Sequence, residues 1–140
     1  MNVRDFLRVR TPFVWGGVDG EDCTTWCARY AELLTGDDPA SDLRGTYQNR
    51  EGALAMIARN GGLVATVAPR LKRSGWRVVQ APADGHMAVI EALANIDGDG
   101  PQLSEISALR FGPLWVALGP CGPAGIAASR VRVLACWGLA

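Results

Sequence analysis

The chain has 140 residues, 49% of them hydrophobic, with 14 basic and 14 acidic side chains and a formal charge of zero. That length suits one domain over residues 1–140 around one core, and the charge balance leaves no overall field to hold nucleic acid. No apolar run approaches the roughly 18 residues needed to cross a bilayer, and MNVRDFLRVR is charged where a signal peptide would be apolar, so synthesis in the cytoplasm without membrane insertion is expected.

Asn2 to Val9 predicts a short helix with Val3, Phe6 and Leu7 on one side. Thr11-Pro12 interrupts it, because proline disfavours helical geometry in the residue before it. Phe13-Val14-Trp15 then runs extended into Gly16-Gly17 and the polar loop Val18 to Glu21. Asp22 stands where a helix N-cap belongs, and Trp26, Cys27, Tyr30, Leu33 and Leu34 recur with helical period up to Gly36. Cys23 is the first helical residue of that reading. The helix dipole and unpaired amides there lower a thiol pKa, while Glu21 and Asp22 raise it.

Asp37 to Tyr47 reads as a polar connector, its Arg44 tied to Asp37, Asp38 or Asp42 or else forming a groove wall beside the cysteine helix. Glu51 to Asn60 predicts a second long helix offering Leu54, Met56, Ile57 and Ala58 to the core, stopped by Gly61-Gly62. Leu63 to Arg73 predicts another, with Pro69 disturbing its second half. From Trp76 onward the pattern turns to short β-prone runs: 76–79, 87–90, 108–111, 114–118 and 131–137. Asn95 to Gln102 is the most flexible-looking loop, without the ligand series of an EF-hand. Helices first and strands later predict an α+β domain, with the helices packed on a C-terminal antiparallel sheet of about five strands.

The four cysteines, Cys23, Cys27, Cys121 and Cys136, form no CxxC pair and are expected as free thiols, the last three buried in structural roles. A zinc site from Cys23, Cys27, His86 and a distant cysteine lacks the paired short spacings such sites show, so neither metal nor cofactor is expected.

PFVWGG, a short loop and DC at the start of an amphipathic helix resemble the nucleophile segment of NlpC/P60 cysteine peptidases. FVWGGVDGEDC, LLTGDDPASDLRGTY and the following GGL are more similar still to small phage and prophage tail-associated proteins of the DUF6950 type. The resemblance implies a papain-like NlpC/P60-type fold, in which a cysteine at a helix N-terminus faces a histidine on the first strands of the sheet. Cys23 falls on the nucleophile position. The strand on which the peptidases carry their histidine reads ISALRFG here, and His86, the only histidine, stands one motif early in GHMAVIE.

Candidate site residues are therefore Cys23 as nucleophile and His86 as base, with Trp15 and Asp22 as substrate-binding positions whose simpler roles are packing and helix capping. Ser104, Glu105 and Ser107 are nearby candidates to orient the base. Two functions follow from the resemblance. One is a structural or assembly protein of a phage tail tip or baseplate, residing in the virion among other tail proteins, with a degenerate catalytic site. The other is a cysteine peptidase or amidase that cleaves peptidoglycan stem peptides during DNA entry.

Overall fold

The computed structural model describes residues 1–95 and 99–139. Four helices, α1 (Val3–Leu7), α2 (Cys23–Thr35), α3 (Arg50–Arg59) and α4 (Leu63–Arg73), precede all the described strands. The strands are β1 (Trp76–Val78), β2 (Met87–Ala94), β3 (Gln102–Phe111), β4 (Leu114–Gly119), β5 (Gly122–Ala127) and β6 (Arg132–Leu139). They form one antiparallel sheet in the order β1-β6-β2-β3-β4-β5. The α+β class and the helices-then-sheet order agree with the sequence reading; the strand count does not. The unexpected strand is β5, GPAGIA, whose glycines and proline give no β-prone run. It is tolerated because it is an edge strand paired only with β4. Residues 96–98 of the expected loop lie outside the described residues, and Gln102 already belongs to β3.

The side-chain alternation of β2, β3 and β4 makes two cores. Met87, Val89, Leu109, Val116 and Leu118 face the helices and pack with Phe6, Trp26, Tyr30 and Leu71. Ala88, Ile90, Ile106, Ala108, Trp115, Ala117 and Cys136 form a second cluster on the opposite face. Phe6 touches both Trp26 and Tyr30, with ring centroids 5.1 and 5.2 Å apart, which binds α1 to α2.

Several burial expectations fail for geometric reasons. Leu33 and Leu34 are exposed, since the last turn of α2 runs out towards its Gly36 cap and the solvent. On α3 only Ala53 and Met56 are buried; Leu54 and Ala58 are exposed, because this helix meets the rest of the chain along a narrow stripe. Cys121 is exposed in the turn between β4 and β5, not buried, whereas Cys27 and Cys136 are buried as expected. All four cysteines are free thiols.

One irregularity positions the site. β4 pairs with β5 from Leu114 to Gly119, but with β3 only at Leu109↔Val116, Arg110↔Trp115 and Phe111↔Leu114. Beyond those three pairs β3 and β4 part, and the N-terminus of α2 meets the sheet beside that opening.

Candidate functional site

Asp22 organises the approach to α2. Its Oδ1 accepts from the Thr24 amide at 3.1 Å, the Thr25 amide at 2.9 Å and the Thr25 hydroxyl at 3.2 Å. Its Oδ2 accepts from the Gly16 amide at 3.2 Å and the Tyr47 hydroxyl at 2.6 Å. The Thr25 hydroxyl also accepts from the Asp22 amide at 3.0 Å, which closes a capping box. Asp22 is buried and borders the cavity described below, but its oxygens are committed to the fold. Gly16 has φ 93°, and a Cβ there would stand 2.1 Å from the Tyr47 carbonyl oxygen, so the WGG turn and the connector touch backbone to backbone.

Arg44 holds the same turn from the other side. Its guanidinium donates to Glu21 at 2.6 Å, to Asp38 at 2.7 Å, and to the carbonyls of Gly17 and Thr25 at 2.8 and 3.2 Å. Of the three aspartates considered from the sequence, Asp38 is the partner. Glu21 is buried, and burial raises its pKa while Arg44 works to lower it.

Cys23 follows directly. Its sulfur lies 4.0 Å from the Thr24 hydroxyl, which in turn shares a 2.9 Å hydrogen bond with the Ser107 hydroxyl on β3. The Ser107 backbone, at a position where β3 has no β4 partner, also works to lower the thiol's pKa. These neighbours and the helix N-terminus favour a thiolate, but burial and the Asp22 charge outweigh them and push the Cys23 thiol up to about 11. At neutral pH the group is a protonated thiol.

His86 is elsewhere. Ser107 is opposite Val89, three residues after His86, so the histidine sits roughly 10 Å along β2 from the cysteine at about 3.3 Å per residue. It faces away from the helices, on the side of the sheet that Cys23 reaches only at the opening between β3 and β4. A Cβ on Gly138 would meet its Nε2 at 2.7 Å, and Gly138 shares strand parity with Cys136 of the face opposite the helices. Its Nδ1 accepts from the Ala83 amide at 3.0 Å. The structure does not bring Cys23 and His86 together.

Two cavities flank the cysteine. A cavity of about 430 Å³ lies between α3, the start of α2 and the β2–β3 hairpin, with Trp15, Cys23, Leu54, Ile57, Glu91 and Glu105 in its wall. Trp15 is half-buried there, edge-on to Phe13 with centroids 5.1 Å apart. A second cavity of about 250 Å³ opens where β3 and β4 part, bordered by Cys23, Ile106, Ala117, Cys121 and Ile126. Cys23 is the partition between them. Ser104 and Glu105 border the first cavity, and the Ser104 hydroxyl donates to the Gln102 carbonyl at 3.2 Å. Among the described residues no three His, Cys, Asp or Glu side chains are grouped to hold a metal, and no helix is long and apolar enough to cross a membrane.

Three features of this site escape sequence reasoning. The Tyr47 bond to Asp22 spans 25 positions, and only the RGTY distinctiveness hinted at it. The Thr24–Ser107 bond spans 83 positions, although the alternation of β3 does assign Ser107 to the helix face. The Glu91–Glu105 pairing depends on a register that pattern alone leaves open.

Comparison with known proteins gives one family match. Residues 4–137 match the family model described as "Domain of unknown function (DUF6950)". No curated protein and no solved structure matches the chain.

Proposed function

From the premise that the chain belongs to the DUF6950 family, we propose that it is a phage tail-tip or baseplate component that retains an NlpC/P60-like, papain-like scaffold for a structural or assembly role, with its catalytic site degenerate. The observation that carries the reading is the surroundings of Cys23. A working cysteine nucleophile needs a base within hydrogen-bond reach and a depressed pKa. Cys23 has two hydroxyl-bearing neighbours, Thr24 and Ser107, and a pKa raised to about 11. The scaffold ancestry is supported by the WGG turn, the DC cap and a helix N-terminus meeting an antiparallel sheet in the order the peptidases show. The tail location is supported by the same resemblance of sequence, and the surroundings are other tail proteins rather than nucleic acid.

The test is complementation in the phage or prophage that encodes the chain, joined to turnover of purified muropeptides. The protein is expected in the assembled particle, and Cys23→Ala should restore particle assembly and infectivity as fully as the unaltered chain. No muropeptide turnover is expected from either. Absence of the chain from particles would overturn the structural role. Turnover that disappears in Cys23→Ala would replace this reading with a peptidoglycan amidase or peptidase.

A further inference from the structure

The larger cavity beside Cys23 holds two features that the fold does not need. The first is a like-charge pair. Glu91 on β2 and Glu105 on β3 are directly opposite each other, both on the helix face, and both border the cavity. Directly opposed like charges destabilise a sheet. Neither carboxylate has an ion-pair or hydrogen-bond partner among the described residues, and Arg132, which pairs with Glu91 from β6, makes no ion pair within 4 Å. The second is exposed apolar surface at the same place. Leu54 on α3 is 54% exposed and Leu103 on β3 66% exposed, both in the cavity wall, and Leu93, the cross-strand partner of Leu103, is also 66% exposed. Leucines at the mouth of an apolar cavity with a few convergent polar groups are the composition of a ligand site, and about 430 Å³ lies in the size range of such sites.

We infer that this cavity is a binding site for a short peptide segment carrying a primary ammonium group. The ammonium lies between Glu91 and Glu105, and the aliphatic portion rests on Leu54, Ile57 and Leu103. Charge complementarity selects the occupant: a cation relieves the Glu91–Glu105 repulsion, while a neutral or anionic segment leaves it in place. Arg50, also in the wall, donates to the Gln102 side chain at 2.8 Å. The site asks nothing of the Cys23 thiol. It deepens the proposed function only by supplying what a non-catalytic scaffold would hold, and it stands or falls by binding rather than turnover.

The experiment titrates the full chain with acetyl-Leu-Lys-Leu-amide and with the same peptide carrying norleucine, which keeps the chain length and lacks the ammonium. The lysine peptide should bind about tenfold or more tightly than the norleucine peptide at low salt, and the difference should shrink at about 0.5 M salt. Glu91→Gln/Glu105→Gln should abolish the discrimination while raising Tm, because relief of the repulsion stabilises the sheet. Leu103→Ser should weaken both peptides together. Equal affinities in the unaltered chain, or discrimination that survives the double substitution, would overturn the inference. Binding that holds while turnover appears removes the degenerate-site reading alone, and loss of discrimination without turnover removes this inference alone.

Discussion

Asp22→Asn isolates what the carboxylate does beyond capping a helix. Asparagine keeps an Oδ1 acceptor for the Thr24 and Thr25 amides, so the cap survives. It replaces Oδ2 with an NH2 donor that faces the Gly16 amide and the Tyr47 hydroxyl, both of which donate to Asp22. Tyr47 answers by rotating its hydroxyl to accept. The Gly16 amide has no such freedom, and a buried donor left facing a donor costs about 1–3 kcal/mol. Loss of the charge-assisted bond to Tyr47 adds about 1 kcal/mol, giving a destabilisation of about 3 kcal/mol. In a chain of this length that lowers Tm by about 10 °C, read by thermal and urea unfolding. Asp22→Ala, which also removes the cap, should cost about 1 kcal/mol more. A double-mutant cycle with Tyr47→Phe should return a coupling of about 1 kcal/mol or more. Destabilisation under about 0.5 kcal/mol by Asp22→Asn, or strict additivity with Tyr47→Phe, would refute the view that this carboxylate ties the WGG turn, the helix and the connector together.

The remaining predictions concern the thiols, the arginine clamp and the histidine. Burial pushes Cys23 and Cys136 up to about 11, so the unfolded chain loses these protons first. Their contribution is complete below the ordinary thiol value near 9 and is lost as pH rises from about 9 to 11, which a Tm series should show and Cys23→Ala should flatten. Iodoacetamide modification of Cys23 should keep accelerating above pH of about 9, and Asp22→Asn should shift that profile to lower pH by removing a negative charge beside the sulfur. Arg44→Lys should cost about 2–3 kcal/mol by urea unfolding, since an ammonium does not span Glu21, Asp38 and two carbonyls at once. Gly138→Ala should displace His86, because the new Cβ would stand 2.7 Å from its Nε2, and should lower Tm without altering Cys23 alkylation; a change in that rate would show that the two residues communicate.

What was legible in the chain was local. Asp22 as cap, Gly36 as the left-handed end of α2 and Gly61-Gly62 as the break before α4 are dictated by residues within a few positions of each other, and all three stand in the structure. Pairings across the sheet were not legible. β5 carries almost no β-prone side chains and exists because the β4 edge receives it. The starts of β2 and β6 were visible as apolar runs, but the register that sets Glu91 against Glu105 is a property of two strands together. At the site, Cys23 and Asp22 were found by local chemistry, whereas Tyr47, Ser107 and Arg44's grip on Glu21 depend on contacts 25, 83 and 23 positions apart.

Strand register sets how far the cysteine is from having a partner. On β3 the residues that face the helices are Leu103, Glu105, Ser107 and Leu109, and on β2 they are Met87, Val89, Glu91 and Leu93. The member of that set nearest Cys23, Ser107, is already bonded to Thr24, and on the opposite face Cys23 meets apolar side chains such as Ile106 and Ala117. His86 precedes the first helix-facing residue of β2 and has the opposite parity, while its neighbour Gly85 faces the α2 side, where an added Cβ would meet the Tyr30 hydroxyl at 2.9 Å. A rotamer change leaves the histidine on its own face of the sheet. A one-residue slip of β2 would turn it towards the helices, but would also carry Met87 and Val89 out of the core they fill, because every side chain on the strand changes face together. The cost of emptying that core exceeds any gain from one cysteine–histidine contact, so the distance along β2 between His86 and the Val89–Ser107 pair beside Cys23 is held by the register of the sheet.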